Sequence, residues 1–417
     1  MAKKRKKPEI RFKGFTDVWE QSKVSELIKD IADGPFGSNL KVVHYTDEKE
    51  ARIIQLSNIG ESGWQDENVR YTTFEHAKEI KRSIVAQGEL IMAKMMPAGL
   101  TIECPNADKM YVLSSDAVRI KLDETLIDTK YFVYMTKCDY FLDQINNDTQ
   151  GSTRTRTSIS KIKRMDIPFP TLQEQERIGL YFQQLDNIIT LHQRKYDKLQ
   201  NIKKSMLEKM FPKNGENTPE IRFNGFTDSW EQRKLSEVAN KVNEKNVNFA
   251  VNETFTNSAE YGVISQRDFF DHDIFNLENI NGYYVVGEDD FVYNPRISAT
   301  APVGPINRNK LGRKGVMSPL YTVFKTHDID ITFLEYFFKG NGWHSYMFFN
   351  GDTGARFDRF SIKNEVFFDM PIPYPKIEEQ KSIGKYLENL DSLIMLHQRK
   401  LEKLRNIKAS CMKKMFI

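Results

Sequence analysis

Residues 151–164 (GSTRTRTSISKIKR) form the segment whose residue types and spacing most clearly suggest a chemical task. Five cations stand among serines and threonines, and no acidic residue follows before Asp166. Arginine and lysine bind phosphate oxygens, hydroxyl and backbone N–H groups add hydrogen bonds, and arginine can also read base edges. A solvated basic loop is the alternative interpretation. The candidate DNA contacts from this segment are Ser152, Thr153, Arg154, Arg156, Lys161 and Lys163.

Three further segments offer groups of the same kind. Residues 351–363 (GDTGARFDRFSIK) stand where the second half of the chain matches the first segment. Residues 34–41 (GPFGSNLK) read as a Gly/Pro turn with exposed polar side chains, although a plain turn is the alternative. Residues 295–298 (PRIS) stand at the landmark where the first half has a lysine. The candidate DNA contacts from these segments are Ser38, Asn39, Lys41, Lys94, Arg296, Arg356 and Arg359.

No motif of a common enzyme class accompanies these basic segments. The chain has no P-loop, no GxGxxG after a predicted strand, no HExxH and no nucleophile elbow. Residues 294–296 (NPR) lack the second proline and the aromatic residue that an adenine-methylating motif uses to stack a flipped base. The three cysteines are far apart and form no CxxC. The sequence therefore favours a binding function, with no catalytic residue and no metal site.

The elements that position these residues are arranged in an internal repeat. Residues 8–26 and 219–237 are nearly identical, and residues 171–211 match residues 376–416 at a constant offset. Such self-similarity predicts two halves of similar construction. We divide the first half into an N-terminal basic arm and repeat segment (1–26), a first recognition domain (27–165) and a spacer helix region (166–211). The second half consists of a linker with the second repeat segment (212–237), a second recognition domain (238–370) and a second spacer helix region (371–417).

The two middle regions share weak landmarks in the same order. Short β-branched and aromatic runs bounded by turn residues predict strands, and helical patterns lie between them at 74–84, 131–142 and 331–338. The runs that we align are residues 52–58 with 261–266, 88–93 with 289–294, and 111–121 with 315–325. The predicted fold class is therefore α+β, with two similar domains that are divergent copies of one fold.

Apolar residues recur with a heptad spacing in each spacer helix region. This pattern predicts two long helices that form an intramolecular, antiparallel coiled coil related by a pseudo-twofold axis. Polar residues at heptad core positions fix register at a cost in stability. We expect His192 and His397 to be such residues and to lie close together across the helix pair. The predicted core consists of Ile178, Leu185, His192, Leu199, Ile383, Leu390, His397 and Leu404.

Composition limits the class of protein. The 417 residues include 61 Lys and Arg against 57 Asp and Glu, a net charge of +4, and 40% hydrophobic residues. These values are typical of a globular protein with two to three domains, and the small charge excess does not identify a partner. The N-terminal cations run directly into Pro8, and no apolar run is long enough to span a membrane. We therefore expect a cytoplasmic protein without a signal peptide.

The order of these features resembles the specificity subunits of Type I restriction–modification enzymes. The resemblance covers nearly the whole chain and rests on the two repeated helices between variable domains, the GPFGSNLK turn, the GSTR start at 151–154, and the sequences IPFPTLQEQ at 167–175 and IPYPKIEEQ at 372–380. The second half departs from the pattern, because it has GAR at 354–356 and no second GPFGS turn.

The resemblance implies a non-catalytic protein that reads double-stranded DNA. Each recognition domain would bind one half of a bipartite, asymmetric site, and the helices would set the gap. The repeats would hold two methylation subunits, and restriction and motor subunits would join them for cleavage. The resemblance also implies that this chain binds no cofactor, since S-adenosylmethionine, ATP and Mg would be bound by the partner subunits.

Two other functions are compatible with the residues. One is a self-contained nuclease or methyltransferase with unrecognised motifs. The other is a coiled-coil DNA-binding adaptor or regulator that acts independently of a methylation complex.

Overall fold

The structure is a computed structural model that describes residues 7–95, 98–105, 109–148, 156–213, 215–269, 277–353 and 358–416. The chain divides into two compact units. Unit 1 contains residues 1–193 and 399–417, and unit 2 contains residues 194–398. Both divisions fall inside the long helices, so each unit contains one recognition region and a part of each helix. The domain boundaries given above stay predictions.

Unit 1 is a mixed α+β unit. Its strands are β1 (Glu20–Lys23), β2 (Ile28–Asp33), β3 (Tyr45–Thr46), β4 (Ala51–Ile54), β5 (Ile59–Gly60), β6 (Gly63–Trp64), β7 (Tyr71–Thr72), β8 (Ile84–Val85), β9 (Leu90–Ala93), β10 (Thr101–Glu103), β11 (Met110–Leu113), β12 (Ala117–Leu122) and β13 (Asp166–Phe169). Its short helices are α1 (Val24–Leu27), α2 (Phe74–Glu79), α3 (Thr129–Met135), α4 (Asp139–Asp148) and α5 (Ile159–Arg164), with 3-10 turns at Val42–His44, Leu56–Asn58 and Lys81–Ser83. The first long helix, α6 (Leu172–Lys209), begins in unit 1.

Unit 2 is built from the same kinds of element. Its strands are β14 (Glu231–Lys234), β15 (Ala239–Lys241), β16 (Phe255–Ser258), β17 (Gly262–Ser265), β18 (Tyr284–Val286), β19 (Phe291–Tyr293), β20 (Ile306–Arg308), β21 (Gly315–Met317), β22 (Thr322–Thr326), β23 (Asp352–Thr353), β24 (Phe360–Ser361) and β25 (Pro371–Tyr374). Its helices are α7 (Gln266–Phe269), α8 (Ile331–Lys339), α9 (His344–Asn350) and α10 (Asn364–Phe368), with 3-10 turns at Leu235–Glu237, Val247–Phe249 and Leu277–Gly282. The second long helix is α11 (Ile377–Met415).

Sheet order shows that the two units are copies of one fold. Unit 1 has an antiparallel sheet in the order β10-β9-β12-β2, and unit 2 has the same sheet in the order β20-β19-β22-β15. The alignments of residues 88–93 with 289–294 and of 111–121 with 315–325 are thereby confirmed.

The third alignment is wrong by one strand. In unit 1, β4 runs parallel to β11, and the matching parallel bridge in unit 2 joins Thr254, just before β16, to Val316 of β21. The counterpart of β4 is therefore β16. Residues 261–266, which we aligned with β4, form β17 at the other side of a hairpin with β16. The two strands of a hairpin have similar apolar patterns, so pattern alone could not choose between them.

Each repeat segment is fixed against the start of a long helix. Strand β1 pairs with the proline-containing strand β13, and β14 pairs with β25 in the same antiparallel register. Arg11 then holds Glu174 in a bidentate ion pair, with both N–O distances at 2.7 Å. Arg222 and Glu379 repeat this pair at 2.6 and 2.9 Å. Both carboxylates are buried, so matched residues of the two repeats form the same buried ion pair in each unit.

Within each unit, the two long helices pack antiparallel. In unit 1, Ile178, Phe182 and Leu185 of α6 share a core with Met415 and Phe416. In unit 2, Ile383, Leu387 and Leu390 of α11 pack with Leu199 and Met206. The predicted core residues Ile178, Leu185, Ile383 and Leu390 are buried, and His192, Leu199, His397 and Leu404 are half-buried. His192 and His397 belong to different units, so their proximity stays a prediction.

A tyrosine, an aspartate and a lysine link these helices in both units. Tyr134 donates to Asp186 at 2.8 Å, and Lys408 lies 2.5 Å from the same carboxylate. Tyr336, Asp391 and Lys203 repeat the arrangement at 2.7 and 2.5 Å. Burial and then the neighbouring aspartate raise the pKa of both tyrosines. Burial would raise the pKa of Asp391, but the bonds from Lys203 and Tyr336 outweigh it and lower that pKa.

In the described residues, no helix is long and apolar enough to cross a membrane.

Candidate nucleic-acid interface

The predicted turn at 34–41 is an exposed loop with a fixed base. It follows β2, and the N–H of Gly34 donates to the carbonyl of Ala117 at 3.1 Å. A Cβ on Gly34 would lie 1.8 Å from the carbonyl oxygen of Ser114, so this close approach requires glycine. Ser38, Asn39 and Lys41 are exposed, as the sequence indicates. The turn therefore presents three polar groups on a backbone that is anchored at Gly34.

A histidine outside the turn holds it from the other side. His76 on α2 has its Nε2 atom 2.8 Å from the carbonyl oxygen of Asn39, and its Nδ1 atom 3.0 Å from Glu79. Its ring stacks on that of His44 with 4.2 Å between centroids. The contact of His76 with the turn could not be predicted from the sequence, because no local pattern connects α2 with a turn so far away in the chain.

Lys94 is placed below the turn and not on the surface. Its side chain is only 7% exposed, and its ammonium lies 2.6 Å from Asp33, the last residue of β2. Asp33 thus offsets the charge that we assigned to phosphate binding. Lys94 therefore supports the turn. Its ammonium is not exposed for the DNA contact that we predicted.

Residues 156–164 join the same region. Thr157 donates its N–H to the carbonyl of Lys94 at 2.9 Å. Arg156 is half exposed, donates to the carbonyl of Ser115 at 3.1 Å and lies 3.3 Å from Asp116. The segment that we expected to be one basic stretch becomes helical at Ile159, with Ser158 as its N-cap. Lys163 is exposed and Lys161 half-buried on this helix. The predicted contacts Ser152, Thr153, Arg154 and Arg356 lie outside the described residues.

Unit 2 brings two predicted arginines together. Arg296 and Arg359 form an isolated antiparallel bridge, supported by hydrogen bonds from Ile297 to Asp358 at 3.0 Å and from Phe360 to Pro295 at 2.7 Å. Both arginines are exposed. Like charges directly opposite each other across two strands are unfavourable, so this pair favours an anionic partner.

The two units place their basic residues at the same point of the fold. In unit 1, Thr157, which follows Arg156, donates its N–H to the carbonyl of Lys94, the first residue after β9. In unit 2, Phe360, which follows Arg359, donates its N–H to the carbonyl of Pro295, the second residue after β19. The sequence predicted the residues but not this pairing. It also missed Ser114 to Asp116, the connection between β11 and β12 on which the turn and Arg156 both rest. Among the described residues, no group of three His, Cys, Asp or Glu side chains could hold a metal ion.

Comparisons with known proteins agree with this construction. The family described as Type I restriction modification DNA specificity domain matches residues 48–201 and 227–406. The Type I restriction enzyme MjaVIII specificity subunit of Methanocaldococcus jannaschii is 24% identical over 328 residues, which cover 73% of each chain. The putative type I restriction enzyme MjaX specificity subunit of the same organism is 21% identical and covers 94% of this chain and 92% of its own. The crystal structure of the Type-I restriction-modification system S subunit from M. genitalium shares the fold, with a TM-score of 0.55 at 15% identity and 99% of each chain covered.

Proposed function

Since this chain belongs to the family of Type I restriction–modification DNA specificity domains, we propose that each of its units binds one half of a bipartite, asymmetric DNA site. The observation that carries this proposal is the pairing of exposed Arg296 and Arg359 in unit 2, at the point of the fold where unit 1 has Arg156. One fold used twice, with different side chains at the same place, suits two different half-sites.

The gap between the half-sites would depend on the long helices. They contain 38 and 39 residues, and at about 1.5 Å per residue each is roughly 57 Å long. Half-sites one DNA turn apart are about 34 Å from centre to centre. Helices of this length are sufficient spacers for such a site.

The same helices offer two equivalent positions for partner proteins. Ile188 and Leu191 on α6 are exposed, and Leu393 and Leu396 on α11 are exposed at the matching positions of the repeat. Paired apolar side chains one helical turn apart suit an interaction with another helix. Two methylation subunits could therefore bind this chain in equivalent ways.

The chain would have no catalytic role of its own in this complex. S-adenosylmethionine, ATP and Mg²⁺ would be bound by the methylation subunits and by restriction and motor subunits. This division of labour explains why the sequence carries DNA-binding groups without an enzyme motif.

The test is to map methylated adenine across a genome in cells that carry a cognate methylation subunit, with and without this chain. We expect methylation only with the chain, at a two-part sequence with a fixed gap. An assembled complex that gives no such sequence would contradict the proposed recognition. If no complex assembles, the adaptor or regulator function would replace the proposal.

A further inference from the structure

Two phenylalanines are far more exposed than their type normally is. In the described part of the chain, the most exposed large hydrophobic side chains are Phe349 at 89%, Phe36 at 80%, and Val42 and Val43 at 78%. Single exposed apolar residues are common on protein surfaces. These two phenylalanines differ because each is held on a fixed backbone, one in each unit.

Phe36 is at the tip of the turn described above. Gly34 fixes one side of the turn against Ser114. The N–H of Asn39 donates to the carbonyl of Phe36 at 2.7 Å, and His76 holds the carbonyl of Asn39. The aromatic ring therefore projects from a turn that is closed by a hydrogen bond and fixed at both ends.

Phe349 is presented by a helix of unit 2. Its neighbour Phe348 packs edge-on against Phe360, with 6.0 Å between ring centroids. The N–H of Gly351 donates to the carbonyl of Met347, which is buried. These contacts fix the end of α9, so the exposure of the next ring does not come from a loose chain end.

Cations accompany both rings. Lys41 is exposed on the turn of Phe36, and Arg156 contacts Ser115, next to the residue on which Gly34 rests. Strand β23 begins three residues after Phe349 and pairs with β24, and Arg359 directly precedes β24. An apolar ring and exposed cations on connected segments match a duplex, which offers stacked bases between two rows of phosphates.

We propose that Phe36 and Phe349 are wedges that enter the DNA base stack, one at each half-site. The proposal rests on the function proposed above and adds the residues that open the stack. The cations favour DNA, because phosphate oxygens are the groups of a duplex that exposed lysine and arginine side chains bind. Partial unstacking is easiest at pyrimidine–purine steps. Each half-site should therefore contain such a step.

The experiment uses the complex of this chain with the methylation subunit and a duplex that carries the methylated two-part sequence. The fluorescent base 2-aminopurine replaces one base at a time through both half-sites. Apart from the adenines that the methylation subunits would flip out, fluorescence should rise on binding at one step of each half-site, because unstacking relieves quenching. Phe36→Ala should abolish the rise in one half-site only and weaken binding about 10-fold.

The two phenylalanines serve as controls for each other. Phe349→Ala should abolish the signal in the other half-site and leave the first signal unchanged. Phe36→Leu keeps an apolar side chain and should retain most of the signal and of the affinity. Gel filtration of each variant with the methylation subunit shows whether the complex still assembles.

Each result decides the proposal. If the complexes assemble and the alanine variants keep the wild-type signals, the wedges are refuted while the two-part recognition stands. If Phe36→Ala or Phe349→Ala instead prevents assembly, these rings bind a protein subunit and the wedges are again refuted. If the wild-type chain gives no two-part sequence, the recognition proposal fails first and the wedges fail with it.

Discussion

The substitution Glu379→Gln should destabilise unit 2 strongly, although it keeps the shape of the side chain. Glu379 is 1% exposed and accepts two hydrogen bonds from the guanidinium of Arg222. Glutamine can accept one of them, but it leaves a mostly buried positive charge without a counter-charge. Truncation of one partner of a buried ion pair costs about 3–5 kcal/mol. Because one hydrogen bond survives, we expect a loss of about 2–3 kcal/mol for the glutamine variant.

The matching position in unit 1 gives an internal comparison. Glu174 accepts the same two bonds from Arg11 and a third from the indole of Trp19 at 3.1 Å. The third bond goes to the oxygen that also accepts from Arg11 Nη2, so a glutamine amide oxygen at that position keeps both bonds. Glu174→Gln should therefore destabilise unit 1 by about as much as Glu379→Gln destabilises unit 2.

The measurement is urea denaturation of the full chain followed by tryptophan fluorescence. The chain contains four tryptophans, two in each unit, so the fluorescence follows both units, and each variant is identified by the transition that it shifts. Lys376→Met, which removes an ion pair whose two side chains are 69% and 66% exposed, should leave the midpoint unchanged.

A double-mutant cycle with Arg222→Met tests the reasoning directly. If the pair acts as described, the loss in the double variant is much smaller than the sum of the two single losses. Additivity within about 0.5 kcal/mol would show that the two residues do not stabilise each other and would refute a stabilising role for this ion pair.

Three further predictions concern charge, packing and binding. Burial, and then the charge of Lys408, lowers the pKa of Lys137 from 10.5 to about 8. Between these pH values the unfolded chain binds more protons than the folded chain, so stability should rise with pH from about 8 to about 10.5. Lys137→Met should remove that rise, as measured by urea midpoints. Gly179→Ala places a Cβ 2.7 Å from its nearest neighbours, and Gly384→Ala places one at 3.1 Å. Calorimetry should show a lower melting temperature for Gly179→Ala, with a loss of about 1–3 kcal/mol in the free energy of unfolding, and a smaller change for Gly384→Ala. Arg296→Ala with Arg359→Ala should make the negative slope of log binding constant against log salt less steep by about 2. An unchanged slope would exclude both arginines as phosphate contacts.

The division into two similar halves, the two long helices and some of the strands, such as β9 and β19, could be predicted from the sequence. These features are local or periodic. A heptad pattern identifies a helix without any knowledge of its partner, and a repeated segment such as residues 8–26 identifies a second copy of the same construction. The buried members of the predicted helix core, including Ile178 and Ile383, follow from that periodicity.

Which charges are available for binding, and which residues contact each other, depends on the tertiary structure. Lys94 and Arg296 have similar places in the two halves, but Asp33 offsets the first charge and the second lies beside Arg359. The environment of a charge depends on strands that are distant in sequence, so the composition of the surrounding segment cannot reveal whether the charge is paired. The contact of Gly34 with Ser114 and the choice of β16 as the counterpart of β4 depend equally on long-range strand pairing, which periodicity does not specify.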